Sequence, residues 1–276
     1  MRPWEPDLDQ EQALASILRM KTYLRLLNIF YRNTLISEME YRLNFWANIA
    51  LSLFWLSWAS LSVRVYFFQT DEIAGWNYME LLIVMGLFFA MNGYRQMILE
   101  PNLSRLSEYV RLGTLDYILT KPTNSLFLVS FRHIGVFNWI DPLLGLVLAG
   151  LALRNLGHIP TMGQLLLFVV LMIAGMVLMY SFNLALQTTT FWLVNIEQAD
   201  TLVQGLLETG RFPVEFYRGW IRTMLTYFIP VAFMTTFPAQ ALLGRLSWSF
   251  GLVASGLALL ALLAAISIWK FGLRFY

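Results

Sequence analysis

Two acidic residues inside long apolar runs are the first candidates for chemistry. Glu80 and Asp141 each interrupt a stretch of hydrophobic side chains, and a charge at the centre of a bilayer costs roughly 2.5–3.5 kcal/mol. Carboxylates in such places can relay protons, so one hypothesis is a transporter driven by a proton gradient. A simpler interpretation exists for both, because Glu80 is one turn from the end of its run and Asp141 precedes Pro142, which kinks a helix. No acid or histidine follows Asp141 in its run, which favours the simpler interpretation.

Residues suited to hydrolysis or metal binding are scarce. The sequence has no cysteine and only two histidines, His133 and His158, which are far apart, so neither a thiol nucleophile nor a zinc site is predicted. The phosphate-binding G-x-x-x-x-G-K-[ST] loop and the H-E-x-x-H and G-x-S-x-G motifs are missing from it as well. We therefore expect no catalytic residue, metal or cofactor in this chain. A lipid-modifying enzyme is a rival hypothesis only if Glu197, Asp200 and Glu208 meet at a headgroup.

The composition indicates a membrane protein. Of the 276 residues, 58% are hydrophobic and 13% are charged, whereas about 25% are charged in an ordinary soluble domain. Several apolar runs reach the ~20 residues that a helix needs to cross the hydrocarbon core. The expected fold is an all-α integral membrane protein. Before the first run, residues 11–41 combine apolar and basic positions and predict an amphipathic helix lying on the membrane surface.

Six membrane-spanning helices are predicted, and five of them follow directly from hydropathy. Their expected limits are about 43–67, 77–99, 134–153, 164–187 and 248–269. Residues 1–42 hold six Lys or Arg, and residues 95–132 hold five. The positive-inside rule therefore predicts that both termini and the loop at 100–133 are cytoplasmic.

The position of the fifth span is open between two models. Hydropathy selects 223–243, which leaves 16 of the 19 basic residues inside and agrees with the positive-inside rule. That candidate carries Pro230 and Pro238, which interrupt helices. A segment broken in this way can instead dip into the membrane and return where protein shields it. In the second model 190–209 is the fifth span and 210–247 is re-entrant, with only 13 basic residues inside.

A short amphipathic stretch restores charge between two apolar runs. It reads Arg111-Leu-Gly-Thr-Leu-Asp-Tyr-Ile-Leu-Thr-Lys-Pro122. Its apolar residues at 112, 115, 118 and 119 are three and four apart and predict a helix with one apolar stripe, which Pro122 ends. A solvated linker would not need such a stripe, and a headgroup-bound helix would usually be more basic. The stretch therefore suits the groove of a cytosolic partner.

Two blocks of sequence resemble the ABC-2-type permeases, in particular the six-span ABC-2 family transporter proteins. The first block is the stretch 111–122 followed by Phe127, which is similar to that family's pattern of Gly, a hydrophobic residue, Asp and then Leu-x-Lys-Pro. The second block comprises three segments in order, at 210–217, 225–233 and 237–244. The resemblance extends over almost the whole chain, including the N-terminal helix and the six spans.

The resemblance implies an exporter subunit that pairs with a second permease, identical or related, and binds cytosolic ABC ATPase subunits that hold ATP and Mg²⁺. It also implies a coupling helix between spans two and three, and re-entrant outer helices between spans five and six, which favours the second model. The residues expected at the coupling surface are Arg111, Gly113, Asp116, Lys121 and Pro122. Those assigned to the gate region are Phe212, Pro213, Tyr217, Pro230 and Pro238.

The predicted function is transport, with no catalysis by this chain. We expect a multi-pass membrane protein that contacts lipids and no nucleic acid, and the resemblance implies that its host membrane is a bacterial inner membrane. Aromatic residues and methionines are abundant and the spans carry few charges, which suits a lipidic or amphipathic cargo. The resemblance implies that this cargo moves outward. The rival hypotheses are the proton-driven secondary transporter and a scaffold subunit that transports nothing.

Overall fold

The computed structural model describes residues 8–39, 42–193, 201 and 204–276. Its α-helices are α1 Leu8–Met39, α2 Arg42–Tyr66, α3 Tyr78–Tyr94, α4 Glu100–Leu103, α5 Arg105–Arg111, α6 Asp116–Leu119, α7 Ser125–Phe131, α8 Ile140–Asn155, α9 Met162–Thr188, α10 Trp220–Tyr227, α11 Val231–Met234, α12 Thr236–Leu242 and α13 Trp248–Gly272. An antiparallel hairpin of β1 Glu72–Ile73 and β2 Trp76–Asn77 joins α2 to α3. Short 3₁₀ turns cover Val136–Trp139, Thr189–Phe191, Glu208–Arg211 and Val214–Phe216.

Five of the described helices are long and apolar enough to cross a membrane. They are Leu43–Tyr66, Tyr78–Arg111, Val136–Asn155, Met162–Phe191 and Trp248–Gly272. The expectation of an all-α integral membrane protein is thereby confirmed. The span predicted at 190–209 includes positions that lie outside the described residues. The alternative at 223–243 overlaps two helices, Trp220–Tyr227 and Val231–Leu242, whose directions differ by 58°.

The bundle has two ends, which we name after the elements that lie there. At the hairpin end, Glu80 in the first turn of α3 pairs with Arg245, which follows α12. His158, which follows α8, contacts the backbone oxygen of Leu242 at the same end, with 3.0 Å between Nε2 and that oxygen. The α6 end is the opposite one, to which the helix Tyr78–Arg111 leads.

The segment 217–245 enters the bundle from the hairpin end and returns to it. Tyr217 contacts a cavity together with Tyr66 and Leu81, which lie at the hairpin ends of α2 and α3, and Arg245 is also at this end. Between them, the backbone of Phe233 packs against Gly175, the midpoint of α9. The segment therefore reaches about halfway into the bundle and turns back.

The helix that begins at Tyr78, which we call the central helix, continues well past the end predicted for its span at residue 99. Tyr78–Arg111 runs for 34 residues, although Pro101 lies inside it. A proline removes one helical hydrogen bond and its ring collides with the carbonyl four residues earlier. A π-helical turn at Arg95–Leu99 widens the helix just before the proline, so the chain passes it without stopping.

The closest helix packing, between α3 and α8, depends on glycines that sequence analysis did not single out. A Cβ atom added at Gly145 would overlap the carbonyl oxygen of Gly86, and one added at Gly86 would overlap that of Gly145. Two turns further along α3, Gly93 leaves room for the ring of Pro142. Small residues that let two backbones approach in this way are typical of membrane helix pairs.

Replacing Gly145 with alanine should therefore destabilise the bundle. The added methyl group has no space against the α3 backbone, and overpacking typically costs about 1–3 kcal/mol. The matched control is Gly150→Ala on the same helix, where a Cβ meets nothing within 4 Å. Thermal unfolding of the purified protein in detergent should show a lower midpoint for Gly145→Ala and an unchanged or higher one for Gly150→Ala. Equal midpoints would contradict the proposed tight crossing.

Candidate functional site

A tight turn separates α5 from α6 in the stretch predicted as a coupling surface. Gly113 has a φ of 65°, in the left-handed region that favours glycine. The Gly113 N–H donates to Val110 and the Thr114 N–H to Tyr109, a Schellman arrangement that ends α5. Because of this turn, Leu112 caps α5 and does not share a face with Leu115. The single stripe predicted from periodicity is therefore divided between two elements.

All five residues predicted for the coupling surface are exposed at the α6 end. They are Arg111, Gly113, Asp116, Lys121 and Pro122. Leu115 and Ile118 point the other way and are buried in the core, so they fix α6 to the bundle. Beside the charged groups, Leu112, Tyr117 and Leu119 are exposed, Tyr117 to 74%. Within the described parts of the chain, none of the three charged side chains forms an ion pair. We call this mixed charged and apolar area, residues 111–122, the α6 surface.

A set of hydrogen bonds connects the long helix to the chain that enters α8. Asn102, which is 1% exposed, donates to the carbonyl of His133 at 2.7 Å and accepts from the His133 N–H at 2.7 Å. Gly135 donates its N–H to the carbonyl of Met97 at 2.8 Å. Pro101, four residues after Met97, has no N–H and cannot donate to this carbonyl. Asn138 donates to Gln96 in the same π-helical turn. We call these contacts the Asn102 joint.

The imidazole of His133 is uncharged at neutral pH in this setting. Burial lowers the pKa of His133 from its usual value, and the positive charges of Arg105 and Arg132 lower it further. A neutral ring avoids placing a third cation between the two arginines. His133 therefore contributes to the joint through its backbone, and its side chain has no metal-binding neighbours among the described residues.

Helix α1 contacts the same region through aromatic side chains. Tyr23 of α1 meets Phe127 of α7 edge to face, with ring centroids 4.7 Å apart. Phe131, one turn further along α7, stacks on Tyr180 of α9, and Ser130 and the Tyr180 hydroxyl are 2.8 Å apart. The segment between α6 and α8 is thus held by α1 on one side and by α9 on the other.

Glu80 is held by polar partners at the hairpin end. Its carboxylate accepts from the Asn77 N–H while the Asn77 side chain accepts from the Glu80 N–H, which forms a capping box at the start of α3. The second carboxylate oxygen lies 2.6 Å from Arg245 Nη2. Arg245 also lies over the ring of Trp76 at 5.2 Å. These contacts connect the α2–α3 hairpin to the loop before α13.

Asp141 lies in the other half of the bundle from Glu80. The neighbouring Pro142 packs against Gly93, 13 positions along the helix from Glu80, which corresponds to roughly 20 Å. The Asp141 side chain lies near Ser52 of α2. The two carboxylates of the proton-relay hypothesis are therefore not brought together.

The predicted gate residues are spread along the segments that line the inside of the hairpin end. Phe212 and Tyr217 contribute to the walls of one cavity. Pro213 is buried, and the following Val214 N–H donates to Thr236. Pro230 lies at the bend between α10 and α11, and Pro238 lies inside α12, so both are in the segment that enters and returns. The thirteen-residue stretch 230–242 is almost wholly buried.

Of the three acids of the lipid-enzyme hypothesis, the structure describes only Glu208. Glu208 pairs with Arg211 in the same 3₁₀ turn, and Arg211 lies over the ring of Phe88 at 5.4 Å. Glu197 and Asp200 lie outside the described residues. Glu208 is thus already neutralised by a neighbour.

These helices and their polar joints define a multi-pass helical membrane protein of the transporter type. The family model described as ABC-2 family transporter protein matches residues 53–276, and the chain belongs to that family. It is accordingly a permease of an ABC transporter, a membrane subunit that works with ABC ATPase subunits. Searches of curated proteins and of solved structures found no match.

Asn102 is the functional candidate that sequence analysis missed. Its role depends on residue His133, 31 positions away, which no local pattern reveals. A partial signal exists in Pro101-Asn102, because a proline inside a helical pattern frees a carbonyl that other polar groups must satisfy.

Proposed function

We propose that this chain is the permease of an ATP-driven exporter that docks a cytosolic ABC ATPase on the α6 surface. The observation that carries the proposal is the exposure of Arg111, Asp116 and Lys121, which form no ion pair in the described part of the chain, beside exposed apolar side chains. A charged and apolar area without partners at the tip of a long helix suits a protein interface. ATP and Mg²⁺ are bound by the partner in this proposal, and this chain binds no cofactor.

The long helix offers a mechanical route from the ATPase into the membrane. Tyr78–Arg111 is continuous and roughly 50 Å long at 1.5 Å per residue. Nucleotide-driven closure of the ATPases would displace α6, and the helix would carry that displacement past the Asn102 joint. Because the joint fixes His133 to the helix, the start of α8 would move with it. ATP acts through its differential affinity for the two states of the partner.

In the proposed topology the α6 end faces the cytoplasm and the hairpin end faces outward. The segment 217–245 is then a re-entrant element that closes the exit from the outer side. Its return to the hairpin end and its contact with the midpoint of α9 support this arrangement. Both termini are cytoplasmic in the same proposal, and the host membrane is a bacterial inner membrane.

A second permease, identical or related, completes the proposed exporter. Support for its position comes from α2, of whose most apolar stretch only 11% is buried within the chain, against 17% to 61% for the other four candidate spans. The exposed side chains of α2 include Trp46, Phe54, Trp55 and Trp58. We propose that this helix faces the partner permease and that the exit path, suited to a lipidic or amphipathic cargo, lies at their interface.

The proton-driven rival loses its main support. It requires carboxylates that exchange protons along a path, whereas Glu80 pairs with Arg245 and Asp141 lies in the other half of the bundle. No contact in the described residues favours it over the ATP-driven mechanism.

Labelling with an impermeant thiol reagent tests the proposed orientation. The chain has no native cysteine, so single cysteines can replace Tyr117 and Trp220, which are 74% and 72% exposed. In intact cells Trp220→Cys should react with the reagent and Tyr117→Cys should react only after the membrane is opened. Reaction of both from the same side would contradict the proposal and restore 223–243 as a span.

A further inference from the structure

An apolar cavity lies at the hairpin end between α2, β1, α3 and residues 212–217. Its volume is about 390 Å³, within the range of roughly 300–1,000 Å³ that small-molecule sites occupy. Its walls are formed by Tyr66, Ile73, Leu81, Phe212, Phe216 and Tyr217. Phe212 and Phe216 stack with 5.9 Å between ring centroids, which gives one side of the cavity a flat aromatic wall.

The walls suit an apolar occupant. None of the lining residues is charged, and the Tyr217 hydroxyl already donates to the backbone oxygen of Thr209 at 2.9 Å. A polar ligand would lose its hydration here and gain few hydrogen bonds, which is costly. An alkyl chain has no hydrogen bonds to lose when it enters the cavity, and it gains contacts with the aromatic rings of the walls.

The position of the cavity indicates where its occupant comes from. Tyr66 is the last residue of α2 and is 61% exposed, so the cavity opens where α2 leaves the membrane. A molecule that reaches this opening from the bilayer must pass along the acyl-chain region of that leaflet. This favours a lipid tail over a soluble ligand.

Two arginines beside the cavity have no acidic partner in the part of the chain that the structure describes. Arg218 follows the wall residue Tyr217, and Arg222 is one turn further on in α10. Both are exposed, and neither forms an ion pair within the described residues. The acids Asp71 and Glu72 precede Ile73 on the hairpin, so the rim is negative on that side and positive at Arg218. An anionic headgroup is therefore favoured at Arg218.

From these observations we infer that the cavity binds one acyl chain of an anionic amphiphile, with Arg218 at its headgroup. The inference specifies the cargo class of the proposed exporter and rests on that function for its biological role. It also explains why basic residues occur at the hairpin end, where the positive-inside rule disfavours them. Binding itself requires neither ATP nor the ATPase.

Photo-crosslinking of lipid to the purified full-length chain tests the inference. The probes are phosphatidylglycerol and phosphatidylcholine that carry a diazirine on one acyl chain, each in vesicles with the reconstituted protein. Mass spectrometry should place the adducts on the wall residues, with more adduct from phosphatidylglycerol. Arg218→Gln should reduce this preference about three- to fivefold, whereas Arg154→Gln, at an exposed arginine of the same end outside the cavity, should not.

A cavity-filling variant separates the acyl site from the headgroup effect. Ile73→Trp should abolish the wall adducts with both lipids, and its unfolding midpoint should confirm that it is folded. Adducts confined to other helices in the wild-type protein would overturn the inference even if Ile73→Trp does not fold. An unchanged preference in Arg218→Gln would overturn the anionic headgroup. Because the crosslinking experiment contains no ATPase, a negative result for lipid binding leaves the ATPase-docking proposal unaffected. A negative result for ATPase docking likewise leaves the lipid-binding inference unaffected.

Discussion

Replacing Asp116 with arginine is expected to reduce stimulation of the partner ATPase about tenfold or more, while the chain still folds and inserts. Asp116 is exposed on the α6 surface without an ion pair, so the bundle does not depend on its charge. A reversed charge at a docked interface meets its former partner as a like charge, and losing 1.4 kcal/mol already weakens binding tenfold. The measurement is the ATPase rate of the co-purified complex in lipid.

The control for this prediction is Asp71→Arg. Asp71 is also an exposed acid, but it precedes the hairpin at the other end, so the same charge reversal there should leave stimulation normal. Inserting two glycines after Gly113 gives a second variant, because it detaches α6 from the turn that ends α5. Normal stimulation in both Asp116→Arg and the insertion would refute the α6 surface as the docking site.

Replacing Asn102 with leucine should both destabilise the protein and uncouple it. The substitution keeps the volume but leaves the His133 N–H and C=O without their partners, in a place where Asn102 is 1% exposed. Each buried polar group that loses its hydrogen bond costs about 1–3 kcal/mol, so the loss of two such bonds should cost about 2–6 kcal/mol. Thermal unfolding in detergent measures the stability, and the ATPase rate of the complex measures coupling.

Asn183→Leu is the matched control for Asn102. Asn183 is also buried, but its amide donates only to Met179 one turn away in the same helix. The Asn183→Leu substitution should reduce stability less than Asn102→Leu does, and it should leave stimulation of the ATPase intact. If Asn102 has a positioning role, Asn102→Leu should still bind the ATPase but fail to stimulate it. A pull-down with the ATPase measures this binding and so distinguishes a loss of coupling from misfolding. If Asn102→Leu behaves like Asn183→Leu, the joint is not part of the transmission path.

The position of the α6 surface could be predicted from the sequence, but the arrangement of its residues could not. Periodicity identified an amphipathic stretch ending near Pro122, and the exposed charged residues were all named. The error lay in treating Leu112 as part of one stripe with Leu115. A glycine tolerates both helical and left-handed backbone, so the sequence does not say that Gly113 turns the chain. That choice depends on Leu115 and Ile118 finding the core.

The central helix shows the same limit. Hydropathy predicts an end of the second span near residue 99, and Pro101, a residue that interrupts an isolated helix, follows shortly after. In the folded chain Gly135 and Asn138 supply hydrogen bonds to the freed carbonyls of Met97 and Gln96. The donors come from residues about 40 positions away, so local propensity could not include them.

The sequence by itself determined that this chain is a helical membrane protein and which family it resembles. Crossing a bilayer depends on the summed transfer free energy of about 20 consecutive residues, which is a local property of the sequence. Only the tertiary structure decided which polar groups pair, such as Glu80 with Arg245, 165 positions apart. It also decided that the segment 217–245 turns back at the middle of α9, because that depends on Gly175 leaving space for the backbone of Phe233. Contacts of this kind arise from packing between distant segments, and no window of sequence contains both partners.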